Sequence, residues 1–285
     1  MAADRIPAGS SRYPSEPMDR KAPANAAVPL ADSAAPARRV PPRLCVVYTA
    51  KNSTRTLPRS IAAVREIADR IVVVDSGSMD GTQDACRALG AEVFHQEWLG
   101  FARQKQHAID LAADAEFVLL LDSDEIPDAR LIDSIRGVMQ TPGSAQGWWI
   151  DRRYWFGGDY VRIDAPDRVL RLFRQGAGSV PFREVHEVVR VDGPTARLPG
   201  ICRHESWIDL EDALAKQLRY ARMSASAPHA RSSLVKLALN PPWAFIRNYV
   251  LHCAFLDGWR GLQLSLVVAM GTLAKHLMIL DRTRR

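Results

Sequence analysis

The sequence predicts an α/β fold: a mostly parallel sheet flanked by helices, with a C-terminal helical appendage. Short apolar runs such as "LCVVY", "IVVVD" and "FVLLLD" are continuous rather than alternating, which means burial on both faces of a sheet. The stretches between them carry apolar residues at helical spacing, giving a strand–helix–strand rhythm. Both patterns weaken after residue 140, where aromatic and alternating runs with glycine turns replace them.

Taken in order, "LCVVY" (44–48) is the first strand. Leu57, Ile61, Val64 and Ala68 then mark a helix with Pro58 near its start. "IVVVD" (71–75) is the second strand, followed by a helix capped by Asp80 and ending at Gly90. "AEVF" (91–94) is the third, with a helix through "FARQKQHAIDLAA". "FVLLLD" (117–122) is the fourth; Pro127 is expected to open the next helix and Glu125 to cap it. "GWWIDRRYWFGGDYVR" and "DRVLRLFRQG" read as strands, and "LEDALAKQLRYARM" as an amphipathic helix. Residues 1–43 are rich in Pro, Ala and Ser and poor in large apolar groups, so they read as a disordered tail. They contain no apolar stretch of the kind a secretory signal needs. The domain expectation is a catalytic unit over 44–235, divided at 140, and amphipathic helices over 236–285.

The chain has 285 residues and a formal net charge of +6, which suits an anionic partner. Its basic residues are dispersed and fall in no nucleic-acid-binding motif, so no nucleic acid is expected. Cys45, Cys86, Cys202 and Cys253 are widely spaced and form no CxxC pair, which fits packed thiols in a reducing cytosol.

In open α/β sheets ligands bind beyond the carboxyl ends of the strands. That rule places Thr49, Asp75, Ser76, Asp122 and Asp124 together. Two carboxylates two residues apart can share a hard divalent cation, and the same pattern also suits a solvated, helix-capping loop. The surrounding segments, "VVVDSGSMDGTQD", "GFARQKQHAID" and "LLLDSDE", resemble family 2 glycosyltransferases, inverting enzymes of the Rossmann-like GT-A fold. Downstream, "VPFREVHEVVRVDG" and "ICRHESWIDLEDALAKQLRYA" are similar to a subgroup that includes lipopolysaccharide core glucosyltransferases.

The resemblance implies a divalent cation, Mg²⁺ or Mn²⁺, and a nucleotide-sugar donor, UDP-glucose. It implies Asp124 as metal ligand and Asp122 as ribose contact. His204 matches a late histidine that completes the metal site, although the residue also fits a hydrogen-bonded loop. Lys105, with Arg103 nearby, is placed to neutralise the diphosphate or to sit on an exposed basic helix face. "EVHE" supplies Glu184 and Glu187; the resemblance favours Glu187 as the base, with His186 beside it as an orienting or acceptor-side group, although the run also fits a surface strand of alternating charge. Many members carry two consecutive Asp residues where this chain has Asp75–Ser76, so base recognition is expected to fall to Asp75, Ser76 or a backbone group. Gly157 and Gly158 are expected to line the donor sugar, and Trp148, Trp149, Tyr154 and Trp155 divide between core and sugar stacking.

The implied acceptor is a saccharide on a lipid anchor, with transfer to a polyprenyl phosphate or exopolysaccharide as the alternative. A non-catalytic nucleotide-sugar-binding domain is the third possibility. The closing segment, from Pro241 to Arg285, is borderline for a membrane span. It suits either an interfacial helix or packing on the catalytic unit or a second subunit. The expected location is cytoplasmic, peripheral on the inner face of the inner membrane.

Overall fold

A computed structural model describes residues 43–165, 167–181 and 188–284. Of the predicted tail only Arg43 is therefore described, and Glu184, His186 and Glu187 lie outside the described residues.

The first half follows the predicted rhythm. Strands β1 (Leu44–Ala50), β2 (Arg70–Asp75), β3 (Glu92–His95) and β4 (Phe117–Asp122) alternate with helices α1 (Leu57–Val64), α2 (Thr82–Ala88) and α3 (Phe101–Asp110). They lie side by side as β3-β2-β1-β4, all parallel. Period-two geometry sends Leu44, Val46 and Tyr48 into one core layer and Cys45 and Val47 into the other. Helix α1 covers the first layer with Leu57, Ile61 and Val64, and α3 covers the second with Ala102, Ala108 and Ile109.

The sheet then becomes mixed. A three-residue strand, β5 (Glu125–Pro127), precedes helix α4 (Ala129–Gln140). The later strands are β6 (Gly147–Phe156), β7 (Asp159–Val161), β8 (Asp167–Arg174) and β11 (Thr195–His204). They continue the order as β4-β8-β6-β11-β5, with β7 paired to β6. Strand β8 runs antiparallel to both β4 and β6, so β6 and β11 again point the same way as β4. The carboxyl ends of β1, β2, β4, β6 and β11 therefore share one edge of the molecule. A two-stranded ribbon, β9 (Gly178–Ser179) with β10 (Arg190–Val191), lies apart from this sheet.

Two local expectations are corrected. Pro127 ends a strand rather than opening a helix: β5 is the outermost strand, where proline's missing N–H breaks no ladder. The cap of α4 is Asp128, whose carboxylate accepts from the Leu131 N–H at 2.7 Å. Asp80 acts one residue outside the expected position. Gly81 occupies the cap with φ of 84°, while Asp80 accepts from the Thr82 and Thr54 N–H groups.

Helices α5 (Leu210–Ser226), α6 (Leu234–Ile246) and α7 (Gly258–Arg284) complete the chain. A π-helical turn (Arg247–Leu251) and a 3₁₀ turn (Ala254–Asp257) join the last two. A third core cluster ties them to the sheet: Phe156 and Val161 of the β6–β7 hairpin pack with Trp207, Ala213, Leu264 and Val267. The segment Ala254–Thr283 is long and apolar enough to cross a membrane. It also packs on the rest of the chain, burying Leu264, Ser265, Val267 and His276.

Strand β11 carries a bulge between Arg197 and Ile201. Within it Gly200 has φ of 108°, and a Cβ there would stand 2.3 Å from the Leu131 backbone nitrogen. Gly137, inside α4, has open space around its Cα. Gly200→Ala is thus expected to lower stability by about 1–3 kcal/mol through overpacking, whereas Gly137→Ala raises it by about 0.5–1 kcal/mol. Denaturant midpoints of the two variants check this. Equal shifts of one sign would contradict the bulge geometry.

Candidate active site

The turn after β2 is built on Asp75. This residue is fully buried, and its carboxylate accepts from the N–H groups of Gly77 and Ser78, the Ser78 hydroxyl and the Gln83 amide. Asp75 therefore holds the shape of the turn. Ser76 is nearly buried, and its hydroxyl accepts from Gln104 Nε2 at 3.0 Å. Gln104 is itself fully buried and reaches the Gln96 carbonyl and the Leu99 N–H, so it joins the exits of β2 and β3. The sequence reading passed over Gln104 because a glutamine on a helix usually faces water. Thr49, at the end of β1, is half-buried and in register with Asp122.

The exit of β4 is more heavily charged than its motif suggests. Lys105 is not on an exposed basic face; it is buried, with Nζ 2.6 Å from Asp122 Oδ1. Arg171 of β8 donates to Asp122 Oδ2 at 2.6 Å. Glu125, expected as a helix cap, is fully buried instead. It receives a bidentate grip from Arg171, Nε to Oε2 at 3.0 Å and an η-nitrogen to Oε1 at 2.5 Å. Arg152 of β6 adds a bond to Glu125 at 2.8 Å and another to Asp167 at 2.6 Å. Glu125 also accepts from the Asp122 N–H, which closes the loop between the two acids. Burial raises the pKa of Asp122, but Arg171 and Lys105 outweigh it and hold the carboxyl well below the usual range.

Asp124 is set apart from this mesh. Strand β5 pairs antiparallel with the end of β11, matching His204 with Glu125, and the Glu205 N–H donates to the Asp124 carbonyl. His204 Nε2 thereby comes within 3.3 Å of Asp124 Oδ2. Burial raises the Asp124 pKa, yet His204 brings it below the ordinary value, so the group is a carboxylate at neutral pH. The Tyr154 ring lies 4.7 Å from the imidazole and stacks on Trp207 at 4.9 Å. His204 Nδ1 is buried without a hydrogen-bond partner among the described residues.

These residues fit a divalent cation in part. One carboxylate oxygen and one imidazole nitrogen suit Mn²⁺ or a similar ion. Their 3.3 Å separation is near the ~3 Å between adjacent ligands of an octahedral ion with ~2.1 Å bonds. Among the described residues no group of three or more potential ligands converges, so substrate oxygens and water would fill the other positions. Asp122, Glu125 and Asp167 are matched by Lys105, Arg152 and Arg171, while Glu205, next to His204, is met by three cations, Arg55, Arg59 and Arg203.

The aromatic residues divide as follows. Trp148 is core, packed edge-on to Phe117. Trp149 donates to the Thr195 hydroxyl, and Trp155 lies under the Arg203 guanidinium. Gly157 and Gly158, both at positive φ, form the two-residue turn of the β6–β7 hairpin. The structure thus gathers Thr49, Asp75, Ser76, Lys105, Asp122, Asp124 and His204 at one sheet edge. Glu187 and His186 lie outside the described residues.

Comparison with known proteins follows this geometry. Residues 45–190 match the family model "Glycosyl transferase family 2". A glycosyltransferase of Rickettsia bellii is 38% identical over 77% of this chain and 80% of its own. The lipopolysaccharide core biosynthesis glycosyltransferase LpsC of Rhizobium meliloti is 27% identical over 74% of this chain and 82% of its own. Among solved structures, a Pyrobaculum calidifontis mannosyltransferase in complex with GDP-Man and Mn²⁺ aligns with a TM-score of 0.49 at 16% identity, covering 84% of this chain and 87% of that one. Glucosyl-3-phosphoglycerate synthase of Mycobacterium tuberculosis aligns with a TM-score of 0.33 at 25% identity; the match spans 41% of this chain and less than half of the synthase, 44%. With half of its length matched by the family model and a close relative covering most of it, the chain belongs to glycosyl transferase family 2.

Proposed function

We propose that the protein moves a hexose, glucose from UDP-glucose, onto a lipopolysaccharide core or related membrane-anchored saccharide, with a divalent cation as cofactor. The observation that carries this reading is the Asp124–His204 pair, 3.3 Å apart beside an Asp122 that buried cations hold ionised. The similarity to LpsC over most of both chains supports the acceptor class.

In this reading Thr49, Ser76 and Asp122 face the nucleoside, and Asp75 keeps their turn in shape. Asp124 and His204 would hold the cation, which when bound would supply positive charge at the diphosphate. Lys105 keeps Asp122 ionised and oriented. Glu187 takes the proton from the acceptor hydroxyl as that oxygen bonds to the anomeric carbon. The bond from that carbon to the phosphate oxygen breaks, and its electron pair leaves with the nucleoside diphosphate, inverting the centre. His186 orients Glu187 or the acceptor.

The acceptor's lipid anchor fits the C-terminal surface. Leu234, Leu239, Trp243, Leu251, Leu256 and Trp259 are all more than half exposed. So much apolar surface on a basic chain suits an anionic bilayer, and we place the protein peripherally on the inner face of the inner membrane.

The functional test is turnover of labelled UDP-glucose with lipid-linked saccharide. Asp124→Asn and excess EDTA should each abolish transfer while the circular dichroism spectrum stays native. Glu187→Gln should lower kcat by ~10²–10⁴-fold with donor affinity retained. Normal turnover by Asp124→Asn, or by wild type in EDTA, would sink the metal assignment. Loss of donor binding in Glu187→Gln would move that residue out of the base role. For the membrane, flotation with anionic vesicles should carry the protein, and high salt should release part of it, since 1 M salt screens charge within ~3 Å. Absence of flotation would refute the membrane placement.

A further inference from the structure

A cleft of about 750 Å³ opens beside the site just described, and none of the assignments so far uses it. One wall is the β6–β7 hairpin, with Tyr154 and Tyr160. The other is the segment joining α6 to α7, with His252 and Leu256, and the first turn of α7, with Arg260. Asp167 also lines it. The volume falls in the ~300–1,000 Å³ range of small-molecule sites.

Position links the cleft to the chemistry. It lies at the carboxyl end of β6, on the same sheet edge as Asp122 and Asp124. Tyr154 serves both places: its ring forms part of the cleft wall and sits 4.7 Å from that of His204. Asp167 likewise faces the cleft while accepting from Arg152, which bonds to Glu125. Neither Asp124 nor His204 lines the cleft; Tyr154 connects it to that pair.

The lining indicates what that molecule is. The lining combines two tyrosines, Tyr154 and Tyr160, with guanidinium–carboxylate pairs, Arg162 with Asp257 and Arg260 with Asp159 at 3.8 Å. Such a wall offers donors and acceptors in near balance, which suits a polyhydroxyl ligand with apolar faces better than a polyanion. His252 lines the cleft as well, with its Nδ1 buried and without a hydrogen-bond partner among the described residues. Leu256 belongs both to the cleft and to the exposed apolar surface, so the cleft's mouth is continuous with the face assigned to the bilayer.

We propose that this cleft holds the acceptor as a saccharide, and that the segment His252–Arg260 selects it. That segment lies beyond residues 45–190, the part matched by the family model. The Gly157–Gly158 tip rests against Arg260, where a Cβ on Gly157 would stand 3.0 Å from Nε, and so shapes the cleft rim. The assignment rests on the glycosyltransferase reading above.

The test uses UDP-[¹⁴C]glucose with membranes from a strain lacking this protein, and Tyr160→Ala, Tyr160→Phe and Arg260→Ala variants. Tyr160→Ala and Arg260→Ala should raise the half-saturating amount of membrane acceptor about tenfold or more, and change the KM for UDP-glucose less than about twofold. Tyr160→Phe, which keeps the ring, should stay near wild type. Unchanged acceptor dependence in both alanine variants would overturn the assignment, as would an equal loss in donor KM. UDP-glucose binding to wild type is measured separately by calorimetry. Failure there contradicts the donor reading itself and removes the basis of this one; normal binding and transfer with indifferent variants contradicts the cleft alone.

Discussion

The buried ion pair between Glu125 and Arg171 is the constraint on which the site depends. Glu125 is wholly enclosed and Arg171 nearly so. Neither charge can lie in a protein interior alone, because an uncompensated buried ion costs several kcal/mol. Each therefore dictates where the other must be. Glu125 begins β5, Arg171 belongs to β8, and Arg152 of β6 bonds to Glu125 as well. Three strands are thus tied at one point beneath the exit of β4. Glu125 also accepts the Asp122 N–H, so the turn that displays Asp122 and Asp124 is anchored by its own neighbour.

That anchoring gives the two aspartates different work. Asp122 is enclosed by Lys105 and Arg171, which fixes its carboxylate and keeps it ionised. Asp124 is left to His204, at the end of the strand that β5 pairs with. In the proposed function a cation held by Asp124 and His204 would add positive charge beside this mesh. The aromatic side of the molecule begins directly beyond, with Tyr154 against His204 and the cleft behind it. Donor, cation and acceptor would then follow one another along a single sheet edge.

Much of this was legible in the sequence, for identifiable reasons. The strands β1, β2 and β4 were readable because burial on both faces demands unbroken apolar runs. Asp122 and Asp124 stood out because carboxylates at a strand exit have no role in packing. Glu125 and Arg171 were not legible: they are 46 residues apart, and each looks like surface charge until the partner is known. The run "LLLDSDE" gives no hint that its final residue turns inward. A weak signal existed in "DRVLRLFRQG", where Arg171 stands between Leu170 and Leu172 in a strand covered on both faces. Pro127 was misleading because proline is favoured both at helix starts and on outermost strands, and only the sheet order distinguishes the two. Gln104 and the β6–β7 cleft depend on tertiary proximity alone.

The most direct measurement is a double-mutant cycle on the pair, by denaturant unfolding of wild type, Glu125→Gln, Arg171→Met and the double variant. Each single change leaves a buried charge with one remaining partner, Arg152 for Glu125 or Asp122 for Arg171, and should cost about 1.5–3 kcal/mol, the range for a lost hydrogen bond to a charged group. The double change removes both and should cost clearly less than the sum, a coupling of more than ~1 kcal/mol. Single variants within about 0.5 kcal/mol of wild type, or strictly additive losses, would contradict the account that this pair holds the site together.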